Sequence, residues 1–333
     1  MPSRLLARLS ALVLAVPLLA GAARAGEDLV YVLNSGDANI QVLDGRTRAE
    51  IRRISVLREV HHIVATPDGA QILIGDSGGN EMLFLDAATG EVKRRERISN
   101  PYHLAFTPDG KRLVVTSLRR GQVDVYAWDG QALKLEGRVR VGDMPSHLAF
   151  RPDSNVAYVT LQGEKNIAAI DLNTREILWK QEVGRDPAGI LWHDGKLLVG
   201  VMGSNYLSVV NPENHAVERE VVVGRGAHQI FPSPDGSVLY ATTRVDSRVV
   251  ALEPRDLSIR RVYEVPGGPD DLSFAPDGRI WATLRWAQKV GILDLATGEV
   301  DTVRVGRSPH GILYRPADAA VAQAQPATPA AAR

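Results

Sequence analysis

Val156-Ala157-Tyr158-Val159-Thr160-Leu161 is followed, across Gln162-Gly163-Glu164-Lys165, by Asn166-Ile167-Ala168-Ala169-Ile170-Asp171. Both runs are six residues of β-branched, aromatic and small apolar side chains, which reads as two short strands. Just upstream stands the turn Pro152-Asp153-Ser154, and this marker recurs along the chain. It appears as Pro67-Asp68-Gly69, Pro108-Asp109-Gly110, His193-Asp194-Gly195, Pro234-Asp235-Gly236, Pro276-Asp277-Gly278 and a decayed Pro316-Ala317-Asp318. Successive spacings are 41, 44, 41, 41, 42 and 40 residues. Pro presets φ for a turn and Gly accepts positive φ, so the marker has a mechanism. Each repeat holds one apolar strand before the marker and one after it. An alternating strand, a second turn (Asn173-Thr174 or Ala296-Thr297-Gly298) and a last strand ending near Val-Gly complete it. Four short strands in roughly 40 residues is the period of a propeller blade. Past the first 25 residues no segment keeps a helical apolar period.

Seven markers predict an all-β, seven-bladed β-propeller; an eight-bladed ring or an open array is the competing arrangement. The run Leu29-Val30-Tyr31-Val32 has no marker strand before it, and the last repeat keeps that strand alone, as Gly311-Ile312-Leu313-Tyr314. Three N-terminal strands and a C-terminal innermost strand are therefore expected to form one blade, leaving no open edge between first and last repeats. The pairing of Tyr158-Val159-Thr160-Leu161 with Asn166 to Asp171 resembles the YVTN-type propeller repeat of secreted and periplasmic bacterial proteins. The resemblance covers about residues 28 to 316. It implies the fold and leaves function open, because propellers host many chemistries.

The chain has 333 residues, with 39 Lys+Arg against 39 Asp+Glu. That balance supplies no general basic field for nucleic acid. With no Cys, disulfides, thiolate metal sites, c-type haem attachment and Cys nucleophiles are excluded. Aromatics at 5% argue against broad stacking platforms for single strands. Arg4, Arg8, the apolar run Leu9 to Leu19 and Ala23-Arg24-Ala25 read as a cleaved signal peptide over residues 1–25, predicting a periplasmic protein with no membrane span. The propeller is assigned to residues 26–316, and the Ala/Pro/Gln-rich stretch 317–333 to a disordered tail.

Six of the eight histidines share one place in the repeat. Six and five residues before each marker stand His61-His62, Tyr102-His103, Ser146-His147, His228-Gln229, Asp270-Asp271 and His310-Gly311, with Ala188-Gly189 in the fourth repeat after a one-residue deletion. These positions open the innermost strand of each blade, whose starts ring one mouth of the central channel. His61, His62, His103, His147, His228 and His310 are thus candidate metal ligands, and neutral imidazoles suit copper, zinc, iron or nickel. A metal-free polar pocket is the competing reading. Adjacent strand residues point opposite ways, so His61 and His62 can both serve only where the strand is irregular. His193 and His215 are expected at the surface. The pair in Glu59-Val60-His61-His62 resembles the adjacent-His motif of the nitrous oxide reductases, and the thiocyanate dehydrogenases are similar. That resemblance implies a His-ligated copper site on a seven-bladed propeller. The chain departs from it in having no Cys-bearing copper domain and no His in the fourth and sixth repeats.

Loops after the second strand of each blade are expected to open on the same mouth. They bring Arg119, Arg120, Gln162, Arg244 and Arg285, and guanidinium groups there would hold an anionic ligand or pair with nearby carboxylates. Tyr102 and Gln229 join Arg119, Arg244 and Arg285 as candidate substrate-binding residues. Asp270 and Asp271 are the acidic pair of the ring and the candidate acid/base or His-orienting groups. The Asp of each marker is expected to cap its turn. Three functions compete: a monomeric propeller binding a metal, copper first, or a metallo-cofactor; an enzyme at the same mouth, a copper oxidoreductase or a lyase/lactonase-like propeller; and a metal-free scaffold for a protein partner. Haem is a weaker option, since nothing in the sequence specifies a tetrapyrrole pocket.

Overall fold

The computed structural model describes residues 26–317. The leader expected over residues 1–25 and nearly all of the expected tail lie outside the described residues. Seven four-stranded antiparallel sheets are arranged as the seven blades of a propeller. Their innermost strands are Val60–Ala65, Leu104–Phe106, Pro145–Phe150, Pro187–His193, Ala227–Pro232, Pro269–Phe274 and Pro309–Arg315, which number the blades 1 to 7. In blade 7 the strand Pro309–Arg315 pairs with Leu29–Asn34, which continues through Asn39–Asp44 to Glu50–Ser55. Among the described residues no helix is long and apolar enough to cross a membrane; the helical pieces are short 3-10 turns at Leu118–Arg120 and Gln162–Glu164.

Burial follows strand position. The second strand Val156–Leu161 is buried at every residue, and the third strand Asn166–Asp171 at its centre. Outermost strands alternate, as in Val92–Arg97 (Val-Lys-Arg-Arg-Glu-Arg), whose charges face water and guard the sheet edge. The core lies between blades rather than within one. Leu29, Tyr31 and Leu33 of blade 7 pack on Ile72, Ile74 and Leu83 of blade 1, and six further apolar clusters fill the other blade interfaces.

The marker aspartates of blades 1, 2, 3, 5 and 6 cap their turns as expected, whereas Asp194 of blade 4 accepts no such bond and Asp318 lies outside the described residues. Asp68 Oδ1 accepts from Thr66 Oγ1 at 2.6 Å and from the Ala70 N–H at 3.0 Å, and Asp109 accepts from Thr107 Oγ1 at 2.7 Å. At the other end of the innermost strands the pairing breaks. The register shifts between Val60 and Ile63, Pro145 and Leu148, Pro187 and Ile190, Ala227 and Ile230, and Pro269 and Leu272. In blade 2 the Tyr102 N–H donates to the Thr116 carbonyl while the Thr116 N–H donates to the His103 carbonyl. Two residues therefore face one, which is a β-bulge, and a bulge re-aims side chains.

Candidate metal and ligand site at the channel mouth

The bulges coincide with the repeat position that carries the histidines. In four blades the bulge is braced by a threonine opposite it on the second strand. Thr116, Thr160, Thr242 and Thr283 accept at Oγ1 from the bulge N–H of His103, His147, Gln229 and Asp271. Thr116, Thr242 and Thr283 also donate to the bulge carbonyl of the next blade, at Ser146, Asp270 and His310. Blades 1 and 4 have Gly75 and Gly200 there, where a Cβ would meet the carbonyl oxygens of Pro101 at 2.6 Å and His228 at 2.3 Å. The Thr of the repeat is thus the residue that locks neighbouring bulges together, a role sequence reasoning missed although the Thr recurs visibly.

The bulges resolve the difficulty of the adjacent pair. His61 and His62 are both buried, and both rings join one cluster with Tyr102, His103, His147, His228 and His310. His62 is central. Its ring centroid lies 4.5 Å from His103, 4.7 Å from His310 and 5.0 Å from His147, while His103 and His147 are 5.1 Å apart. Two imidazoles bound to one ion at metal–nitrogen distances near 2.0–2.1 Å have centroids roughly 4.5–5.2 Å apart for angles between square and tetrahedral. These pairwise spacings fall in that range, while His228 stands farther off, 5.5 Å from His147 and 6.3 Å from His310. His62, His310 and Asp271 also bring one donor atom each to within 4.8 Å of one another.

Five ring nitrogens in this cluster, His61 Nδ1, His62 Nε2, His103 Nδ1, His147 Nε2 and His310 Nδ1, are buried without a hydrogen-bond partner. Several of the opposite nitrogens are held. Glu59 Oε1 lies 2.9 Å from His61 Nε2, Ser146 Oγ lies 2.7 Å from His147 Nδ1, and Asp270 Oδ1 lies 3.1 Å from His228 Nδ1. Gln162 donates to Ser146 Oγ, and Arg119 pairs with the far oxygen of Glu59. Such partners fix which nitrogen each ring offers. Glu59, two residues before His61, is a partner that the reading of the sequence left without a role.

Burial disfavours the charged form of all six clustered imidazoles. His103 and His228 are pushed down to about 3 by desolvation, and His62, His147 and His310 fall well below their ordinary value for the same reason, with neighbouring His, or for His310 first Arg285, adding to it. Glu59 is held down at about 2, first by His61 and, against its burial, by Arg119. The two aspartates diverge. Burial acts to raise both, but the Arg244 and Arg285 guanidiniums on the two oxygens of Asp270 outweigh it there and lower that group. Asp271 is driven well above the carboxylate range by burial and by the Asp270 charge.

Above the cluster lies a cavity of about 230 Å³ lined by His61, His228 and His310 below and by Tyr102, Arg119, Gln162, Met202, Arg244 and Arg285 around them. The anticipated loops do open on this mouth. Arg244 Nε lies 2.5 Å and Arg285 Nη1 3.2 Å from Asp270 oxygens, so both guanidiniums pair with one carboxylate while lining the cavity. Gln229 is placed differently from the other candidate ligand contacts: it reaches Asp271 Oδ1 at 3.5 Å and does not line the cavity. His193 binds the Pro254 carbonyl and His215 stacks on Trp179, both away from the mouth and half-buried.

The model of the YNCE-like beta-propeller family matches residues 5–319. No curated protein matches the chain. Among solved structures, a functionally unknown protein from Desulfotomaculum acetoxidans superposes with a TM-score of 0.73 at 14% identity, covering 86% of this chain and 98% of that one. Dihydro-heme d1 dehydrogenase NirN in complex with DHE gives 0.63 at 17% identity, over 85% of this chain and 74% of that one. Kuenenia stuttgartiensis hydrazine synthase gives 0.61 at 21% identity, over 76% and 89%. At these identities the likeness is one of fold.

Proposed function

The chain belongs to the YNCE-like beta-propeller family, and on that premise we propose that it is a periplasmic binding protein whose channel mouth holds a transition-metal ion. His62, His310 and Asp271, whose donor atoms lie within 4.8 Å of one another, are the core of the donor set, and His61, His103, His147 and His228, packed around them, are the further candidate donors. One observation carries this reading: five imidazole nitrogens are buried together without a partner. Leaving a buried polar atom unpaired costs about 1–3 kcal/mol each. An ion drawing on several of those lone pairs removes the cost, and neutral rings need lose no proton to bind it. Imidazole donors suit copper, zinc and nickel, and copper(II) stands highest in the affinity order. Calcium and magnesium prefer an oxygen cage, which the cluster lacks.

The fold neighbour described as a dihydro-heme d1 dehydrogenase raises a tetrapyrrole as the other occupant. The cavity, at about 230 Å³, falls below the roughly 300–1,000 Å³ of pockets that enclose ligands of even drug size. An ion with a small co-ligand fits the space better. The test is metal analysis of untagged protein recovered from periplasm, before and after copper loading, followed by the visible spectrum of His62→Ala and His147→Ala. The reading expects a stoichiometric ion and a band that either variant abolishes. Trace metal throughout, or an unchanged band, defeats it.

A further inference from the structure

The roof of the cavity has a charge pattern that the metal reading does not use. Arg244 and Arg285 share the single carboxylate of Asp270. Beside them Arg119 is tethered to Glu59, half its side chain exposed at 54%. Arg119 also lines a second, outer cleft of about 560 Å³, together with Arg58, Arg120 and Asn100. Ser77, Asn100 and Arg119 border both spaces, so the cleft adjoins the cavity. Arg58 and Arg120 are exposed and form no ion pair among the described residues. From the surface to the imidazoles, five guanidiniums stand against four carboxylates, Glu59, Asp76, Asp270 and Asp271, with Asp76 held beneath the cleft by the backbone N–H of Arg58, Glu59 and Gly79. A cleft lined by one sign of charge concentrates the opposite ion and speeds its arrival.

We propose that the cavity takes a small monoanion, a carboxylate or an inorganic anion, delivered through the cleft beside blades 1 and 2 and received by Arg285 and Arg244. The fork of a guanidinium matches two oxygens of such an ion, and Arg285 is bonded to Asp270 through Nη1. Size agrees. At about 30 Å³ per water, the cavity holds on the order of eight waters, so a ligand of a few heavy atoms fits and a nucleotide does not. The inference rests on the metal reading in one respect: an ion bound to the imidazoles beneath would add its own charge and an open position to the anion site.

The experiment uses formate, with formamide as its uncharged counterpart, titrated by calorimetry into metal-free and copper-loaded protein. Formate should bind the metal-free protein and bind the loaded protein at least about tenfold more tightly, the 1.4 kcal/mol expected of one added charge-assisted contact. Formamide should show no comparable binding. Arg285→Gln should weaken formate about tenfold, while Arg285→Lys, which keeps the charge but loses the two-pronged fork, should recover only part of it. Arg120→Gln should slow association at low salt and leave the saturated state unchanged. Equal affinity for formate and formamide, or unaltered formate binding in Arg285→Gln, overturns the proposal. Formate binding without copper uptake would defeat the metal reading and leave this one standing; copper uptake without formate binding would do the reverse.

Discussion

At the scale of single residues, the site is defined by what each ring nitrogen has next to it. His103 has desolvation as the whole cause of its fall to about 3, and His228 falls to the same value against the pull of Asp270. The unfolded chain takes up protons at these positions below about pH 6.5, while the folded chain does not. Stability therefore holds above pH 6.5 and is lost as the pH falls toward the folded values, by roughly 1 kcal/mol per pH unit for each withheld proton. Asp271 works with the opposite sign, since its raised value lets the folded state keep a proton the unfolded state loses above about pH 4; one such group stands against six imidazoles. Calorimetry of metal-free protein should show a Tm that is flat above pH 7 and falls steeply from pH 6.5 to 5. A Tm unchanged over that window would contradict buried neutral rings. Glu59 acts through His61, which it holds by Nε2. Glu59→Gln should lower metal affinity about 10- to 100-fold, the usual effect of losing an outer-shell partner, read by competition with a chromophoric chelator. Unchanged affinity would remove His61 from the donor set.

Elements explain what the sequence could not deliver. The repeat position of the histidines, their approach to one mouth, and the loops bearing Arg119, Arg244 and Arg285 were all legible, because spacing against the Pro-Asp-Gly marker fixes where a residue falls on a blade. How two adjacent histidines face one volume was not legible, because strand alternation forbids it and the bulge that permits it leaves no turn-like signature. Its trace is the Thr of Tyr158-Val159-Thr160, which recurs as Thr116, Thr242 and Thr283. The partner of each arginine was equally hidden: Arg244 and Arg285 come from different blades and meet at Asp270 only in three dimensions. Thr283→Val deletes a buried hydroxyl that accepts from Asp271 N–H and donates to the His310 carbonyl. Two buried backbone groups lose their partner, at about 1–3 kcal/mol each. The variant should melt several degrees lower and bind metal less tightly. Gly200→Ala should do likewise, because its Cβ would stand 2.3 Å from the His228 carbonyl. A Gly200→Ala protein with wild-type Tm and metal affinity would show that the bulge is not held in place from blade 4.

On the scale of the molecule, seven interfaces between blades carry the apolar core, and the ring brings histidines from five separate blades into one buried cluster. Blade 7 is where the first and last described strands meet, with Pro309–Arg315 beside Leu29–Asn34. Removing residues 309–333 deletes His310 and uncovers a strand edge. The truncated chain should self-associate and lose its cooperative melt, which sedimentation and calorimetry would show; a monomer with an intact transition would mean the blades are held without that pairing. The family match and the fold neighbours agree on the scaffold and leave the site to be judged on its own chemistry. The decisive measurement is the melting temperature of untagged protein stripped of metal and then titrated with copper(II), with the bound ion counted in the same samples. A ligand bound by the folded form alone raises apparent stability in proportion to the logarithm of its concentration over Kd. The account expects at least one tightly bound equivalent and a large upward shift, lost in His62→Ala. A Tm that ignores copper, with no ion retained after desalting, would contradict it.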